Sequence, residues 1–106
     1  MIDSNHILDT MKKLSVTAGE EILKHYKKEI QIEYKEDRSP VTKADKIAND
    51  IIISGLNKEF PEMGILAEES ADDLSRLEKR YCFIVDPLDG TKEFIRGNDE
   101  FTVNIA

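Results

Sequence analysis

The 106-residue sequence contains no tryptophan, only one cysteine, and three prolines. A single cysteine excludes an intrachain disulfide, so the chain is compatible with a reducing compartment. No apolar run approaches the roughly 20 residues that a membrane-spanning helix needs. The first residues also lack the basic and apolar regions of a signal peptide. These absences favour a cytoplasmic protein without a membrane span.

Positive charge is also scarce, with 15 Lys and Arg residues against 22 Asp and Glu residues and a net charge of -7. This balance argues against a nucleic acid partner held by its phosphate backbone. A small phosphorylated substrate stays compatible, because bound metal ions can invert the local charge. The length suits one small folded domain. The lone Cys82 lies in the apolar run 81–85, where we expect a small buried hydrophobe and not a catalytic thiol.

Hydrophobic periodicity predicts two amphipathic helices separated by strands. The first helix is expected from Ser4, as its N-cap, to about Lys28, and the second from Thr42 to Glu59, ahead of Pro61. Strands are expected at 30–34, 64–67, 81–85 and 101–106, with a polar loop at 35–40 and a loop or short helix at 72–79. The sequence stops inside an apolar strand pattern, so we expect residues 1–106 to be the N-terminal part of a longer domain whose C-terminal half is absent.

Acidic residues follow two of the predicted strands directly. Glu68 and Glu69 come after the strand at 64–67, and Asp86 and Asp89 follow the strand at 81–85. If the two strands are neighbours, Glu68, Asp86 and Asp89 converge at one edge of a sheet. Crowded carboxylates repel one another unless a proton or cation neutralises them, and oxygen ligands favour magnesium, manganese or calcium.

The segment 86–91 has a mechanical interpretation as a binding loop. Pro87 is expected to fix a turn after the strand, which would leave the Leu88 carbonyl free to face a metal. Gly90 permits a close approach, and amides around Gly90 and Thr91, at the expected start of a short helix, suit phosphate oxygens.

An ordinary structural interpretation exists for each of these features. Asp-Pro and Asp-Gly pairs are common turn formers, and a Glu-Glu pair usually lies on a solvated surface. Thr42 and Asp45, three residues apart, are typical of a helix capping box in which Asp replaces Glu. The residues by themselves leave a divalent-cation site and a purely structural role about equally open.

Three segments together resemble the inositol monophosphatase superfamily. These are Asp86-Pro87-Leu88-Asp89-Gly90-Thr91, the preceding Ala67-Glu68-Glu69-Ser70, and the upstream Ser39-Pro40-Val41-Thr42-Lys43-Ala44-Asp45. They occur in the family's order, and the resemblance covers essentially the whole chain. Lys92-Glu93-Phe94, after the first of these segments, is similar to the 3'(2'),5'-bisphosphate nucleotidases of the CysQ type.

The resemblance implies a role for each candidate residue. Metal would be bound by the carboxylates of Glu68, Asp86 and Asp89 and by the Leu88 carbonyl. The catalytic residues would be Asp45, Thr91 and Glu69. Asp45 and Thr91 would form a hydrogen-bonded pair that activates the attacking water, and Glu69 would support the site or hold a metal-bound water. Gly90 and Thr91, with Glu68 beside them, would bind the substrate.

The same resemblance implies an α/β layered sandwich of the sugar-phosphatase type, to which this chain would contribute two long helices and the first strands of a sheet. It implies a phosphatase with two or three Mg²⁺ ions, replaceable by Mn²⁺ and inhibited by Li⁺, and it allows a homodimer. The expected reaction is hydrolysis of 3'-phosphoadenosine 5'-phosphate to AMP and phosphate, with the fragment alone inactive. An inositol monophosphatase and a non-catalytic, acidic, cation-binding module are the alternatives.

Overall fold

The computed structural model describes residues 3–28, 32–38 and 40–106. These residues form three α-helices, five β-strands and one short 3-10 helix. In chain order the elements are α1 (Ser4–His25), β1 (Ile32–Tyr34), β2 (Pro40–Thr42), α2 (Lys43–Glu59), β3 (Gly64–Ala67), the 3-10 helix (Ser75–Glu78), β4 (Cys82–Asp89), α3 (Thr91–Arg96) and β5 (Thr102–Ile105). No helix among these elements is long and apolar enough to cross a membrane.

Helix α1 starts where predicted but has a different cap. The Asp3 carboxylate, and not Ser4, accepts hydrogen bonds from the Asn5 and His6 amides. The helix ends at His25, earlier than predicted, because Tyr26 adopts an extended backbone and Lys27 a left-handed one with φ 60°. The predicted apolar face is confirmed by its contacts with the core.

Helix α2 begins with the predicted capping box. The Thr42 hydroxyl accepts from the Asp45 amide, and the Asp45 carboxylate accepts from the Thr42 amide in return. Thr42 is therefore the N-cap, and the helix proper starts at Lys43. Pro40 to Thr42, predicted to end a loop and enter the helix, instead form β2, which pairs antiparallel with β1. The first two residues of the strand predicted at 30–34, and Ser39, lie outside the described residues.

A three-stranded sheet of order β3-β4-β5 carries the acidic motifs. Strand β3 runs parallel to β4, as the convergence of the acids requires, and β5 pairs antiparallel with β4. Strand β4 continues through Pro87 to Asp89, so the predicted turn at Pro87 is wrong. The chain instead bulges between Asp86 and Asp89, which accommodates a proline that cannot donate to a strand ladder.

The core lies between the two long helices and one face of this sheet. Ala18 and Ile22 from α1, Ile52 from α2, and Phe83 and Val85 from β4 are almost fully buried there. Alternation along β4 places its intervening residues on the opposite face. Cys82 is exposed there, so the prediction of a buried cysteine is wrong.

Candidate active site

The two acidic motifs meet at one edge of the sheet. Ala67 and Val85 are partners in the parallel pair β3–β4, and the Glu68 amide donates to the Val85 carbonyl at 2.9 Å. The acids that follow Ala67 and Val85 therefore lie side by side, as expected for the carboxyl ends of parallel strands.

A cavity of about 280 Å³ opens at this edge. It contains all the predicted metal-binding and substrate-binding residues, and Glu69 as well. Its lining consists of Lys35, Asp37, Pro40, Glu68, Glu69, Asp86, Leu88, Asp89, Gly90, Thr91, Lys92 and Glu93. Six carboxyl groups thus face two ammonium groups around one small space.

Asp45 lies beneath the cavity and is fully buried. Its Oδ2 accepts hydrogen bonds from the Thr42 amide at 2.8 Å and the Thr42 hydroxyl at 2.6 Å. Its Oδ1 accepts from the Thr91 hydroxyl at 2.8 Å. The Leu88 carbonyl lies farther from that hydroxyl, at 3.3 Å. Because a hydroxyl has one proton to donate, the closer acceptor, Asp45 Oδ1, holds it and leaves the Thr91 lone pairs free.

Charge crowding shows in the acids themselves. Burial, followed by the negative charges of Asp89 and Glu68, raises the pKa of the Asp86 carboxyl above its ordinary value. Burial is also the main cause that raises the pKa of Glu69, against the opposing attraction of Lys35. The folded chain therefore gathers carboxylates in a place that disfavours their charge.

Lys35 partly offsets this charge and was missed in the sequence. Its ammonium lies 3.1 Å from Glu69 and 3.3 Å from Glu68. Burial opposes the charge of Lys35, but the bonds to Glu69 and Glu68 prevail and raise its pKa. No local signal marks this residue, because the contact spans 33 residues and depends on the β1–β2 hairpin.

Asn104 on β5 was missed as well. Its side-chain amide donates to Asp89 Oδ2 at 3.1 Å. The alternation of the strand predicted at 101–106 indicates which face of the strand Asn104 lies on, but it does not indicate which residue Asn104 contacts. The partner follows from the antiparallel pairing of β5 with β4, which sets Asn104 opposite Asp86.

The acids provide oxygen donors at one place but do not form a complete metal-binding site. Within the described part of the chain, no three Asp, Glu, His or Cys side chains are arranged so as to hold one metal ion by themselves. Two of the predicted ligands have other partners, since Glu68 contacts Lys35 and Asp89 contacts Asn104. The donors are oxygen atoms with excess negative charge, and such a set fits a hard divalent cation.

Gly90 connects β4 to α3 in a left-handed conformation with φ 96°. A Cβ at this position would lie 2.6 Å from the Glu100 carbonyl oxygen, so only glycine fits. Gly90 is the N-cap of α3 and has no side chain to bond the first amides of the helix. Those amides are available to an anion in the adjoining cavity.

The fold is an α/β layered scaffold in which two long helices cover one face of a mixed sheet and acidic motifs gather at the edge of that sheet. The profile of the inositol monophosphatase family matches residues 3–106, and the chain belongs to this family. It is 44% identical over 104 residues to the 3'(2'),5'-bisphosphate nucleotidase CysQ of Salmonella typhimurium, a match that covers 94% of this chain and 42% of the relative.

Two solved structures superpose on the fold. The extragenic suppressor protein suhB of Bartonella henselae matches with a TM-score of 0.84 and 33% identity, over 95% of this chain and 40% of its own. CysQ of Bacteroides thetaiotaomicron matches with a TM-score of 0.71 and 43% identity, over 92% of this chain and 36% of its own. The chain therefore spans about two fifths of the length of these relatives, and the predicted fold class is confirmed.

Proposed function

We propose that the full-length protein carrying this chain is a magnesium-dependent phosphomonoesterase of the cytoplasm. It hydrolyses 3'-phosphoadenosine 5'-phosphate to AMP and phosphate, and so removes a by-product of sulfate assimilation. The observation that carries the phosphatase assignment is the Thr91 hydroxyl bonded to buried Asp45 at the wall of an acidic cavity. The nucleotide substrate is supported by the similarity to CysQ nucleotidases.

Magnesium would be held by the carboxylates of Glu68, Asp86 and Asp89 and by the Leu88 carbonyl. Two or three ions, with Mn²⁺ as a substitute and Li⁺ as an inhibitor, belong to the same proposal. When bound, magnesium neutralises phosphate oxygens and makes water more acidic. The raised pKa of Asp86 supports the assignment, because a cation would relieve the repulsion that burial and neighbouring acids create.

Thr91 acts as the proton acceptor of the reaction. A water oxygen forms a bond to phosphorus while the bond from phosphorus to the ribose 3'-oxygen breaks. The proton of that water moves to Thr91 Oγ1, whose own proton moves to Asp45 Oδ1 along the existing 2.8 Å hydrogen bond. Solvent protonates the departing alkoxide. Glu69, held by Lys35, keeps the β3 end of the cavity in place.

The substrate phosphate binds at the start of α3. The amides of Gly90 and Thr91 donate to its oxygens, since no side chain of the helix cap competes for them. Glu68 lies at the rim with its side chain 57% exposed, where the rest of the substrate can reach it.

The test is phosphate release by the full-length protein from 3'-phosphoadenosine 5'-phosphate and from inositol 1-phosphate, with Mg²⁺ and with or without Li⁺. Strong, lithium-inhibited release from the nucleotide is expected. Preference for the inositol ester would keep the site and replace the substrate. Release from neither would favour a non-catalytic, cation-binding module. Sedimentation of the same preparation tests for a homodimer.

Asp89→Asn is the matched site variant. It removes one negative charge from the cavity and should lower kcat by at least about 100-fold. Asp50→Asn is the control, because Asp50 is an exposed acid on α2 and does not line the cavity. If Asp89→Asn hydrolyses the nucleotide at the wild-type rate, the site assignment is wrong.

A further inference from the structure

Residues 97–101 connect α3 to β5 and pack against Gly90. We call this segment the support loop. A Cβ on Gly90 would lie 2.6 Å from the Glu100 carbonyl and 3.2 Å from Phe101 Cα. The backbone of the support loop therefore packs directly on Gly90. Because Thr91 follows Gly90 in the chain, a shift of this loop moves both residues.

The support loop contains two residues with a left-handed backbone, and the second of them is not a glycine. Gly97 and Asp99 have positive φ values of 72° and 68°. A residue other than glycine in this region is uncommon and persists where its surroundings fix it. At Asp99 the surroundings are the phenol of Tyr26, whose oxygen accepts from the Asp99 amide at 2.6 Å and donates its proton to Asp99 Oδ1.

The ring of Tyr26 contacts both the support loop and α3, the helix that begins at Thr91. It lies edge-on to Phe101 of the support loop, with 4.9 Å between ring centroids, and 5.6 Å from Phe94 of α3. Phe94 and Phe101 also meet edge-on at 5.3 Å, and Phe94 is 2% exposed. Tyr26 follows α1, which packs on α2, so its side chain connects the two long helices to the support loop.

We propose that Tyr26 is a positioning residue for the Gly90–Thr91 end of the candidate active site. It does not line the cavity. It acts through Asp99 and the support loop, which hold Gly90 and Thr91 where the amides meet phosphate and the hydroxyl meets Asp45. The catalytic part of this inference rests on the proposed function, whereas the mechanical part does not.

The experiment compares Tyr26→Phe with wild type in the full-length protein. Phenylalanine keeps the ring contacts and removes only the hydroxyl. Amide hydrogen exchange over residues 89–94 and 97–101 should quicken about tenfold with α2 unchanged, because the opening is local. For 3'-phosphoadenosine 5'-phosphate, kcat should fall about tenfold while KM changes less than about twofold, since misplacement of reacting groups costs rate.

Two control variants make the result specific. Tyr81→Phe removes the same hydroxyl from an exposed tyrosine just before β4 and should match wild type in exchange and kcat. Asp99→Asn keeps an acceptor oxygen and tolerates positive φ, so it should retain most of both.

Either of two outcomes overturns the inference. One is wild-type exchange at 89–94 and 97–101 in Tyr26→Phe. The other is faster exchange there with kcat unchanged, which would make Tyr26 structural only. If the wild-type protein releases no phosphate from the nucleotide, the proposed function fails, and the exchange comparison still decides whether Tyr26 holds the support loop.

Discussion

Asp45→Asn keeps the shape of the Asp45 side chain and removes its carboxylate, so the variant tests what the carboxylate itself contributes. An asparagine has one acceptor oxygen, whereas Asp45 accepts from the Thr42 amide and hydroxyl on one oxygen and from Thr91 on the other. The oxygen of the asparagine should stay with Thr42, because the reverse orientation sets two donors face to face and breaks the helix cap, at a cost of about 1 kcal/mol or more. The new NH₂ group then donates to Thr91 and occupies the lone pair that would accept a proton.

The expected loss in kcat is at least about 100-fold, the range for removal of general base catalysis, and corresponds to about 2.7 kcal/mol in the barrier. Stability changes less. Hydrogen bonds to a charged group contribute about 1 kcal/mol more than neutral ones, but relief from burying a charge offsets part of that loss. We expect the free energy of unfolding to fall by about 1–3 kcal/mol. The measurements are phosphate release at saturating Mg²⁺ and urea unfolding.

Asp50→Asn, on the exposed side of the same helix, is the matched control and should change neither quantity. A second pair checks the hydroxyl: Thr91→Ser should retain most of kcat, and Thr91→Val should lose it. If folded Asp45→Asn kept kcat within about threefold of wild type, the proton path from Thr91 to Asp45 would be refuted.

Three further outcomes are expected. Gly90→Ala should lower the free energy of unfolding by about 1–3 kcal/mol, because position 90 has φ 96° and the added Cβ would meet the Glu100 carbonyl. Gly19→Ala should raise the free energy of unfolding by about 0.5–1 kcal/mol, because a Cβ at position 19 would have nothing within 4 Å. Urea unfolding measures both changes. Because the pKa of Asp86 is raised in the folded protein, protonated Asp86 stabilises the metal-free fold fully below about pH 4, and this stabilisation is lost as the pH rises through the raised pKa. Urea unfolding without Mg²⁺ should show the loss as a lower free energy of unfolding at higher pH. Added Mg²⁺ should restore the free energy of unfolding at pH 7. Lys92 lines the cavity and makes no ion pair within the described residues, so Lys92→Met should raise KM about tenfold for the bisphosphate but not for p-nitrophenyl phosphate in a steady-state assay.

Features that depend on local sequence were predictable. The period of the apolar residues located α1 and α2, and the pair Thr42 and Asp45 marked the start of α2. The apolar runs before Glu68 and Asp86 located β3 and β4 and placed both acids at strand ends. In each case the signal lies within a few residues, where helix and strand periods and capping preferences act.

Features that depend on pairing between distant segments were not predictable from the residues alone. The run 81–85 is apolar throughout, so its composition does not show which residues face the helices. Only the sheet position of β4, with one face uncovered in the described residues, exposes Cys82. Pro87 usually ends a strand, yet the bulge opposite β5 lets β4 continue. Lys35 and Asn104 reach the acids by tertiary pairing, which leaves no local pattern.

At Asp45 the structural and the functional interpretations of the sequence turn out to be compatible. The capping box and the contact to Thr91 use different oxygens of one carboxylate, Oδ2 and Oδ1. Asp45 is the third residue of α2, where a carboxylate can accept from the free amides of the helix start. The cap therefore fixes the orientation of the carboxylate and buries it at the same time. A residue that completes a helix start is for this reason well suited to hold the proton of a reactive hydroxyl.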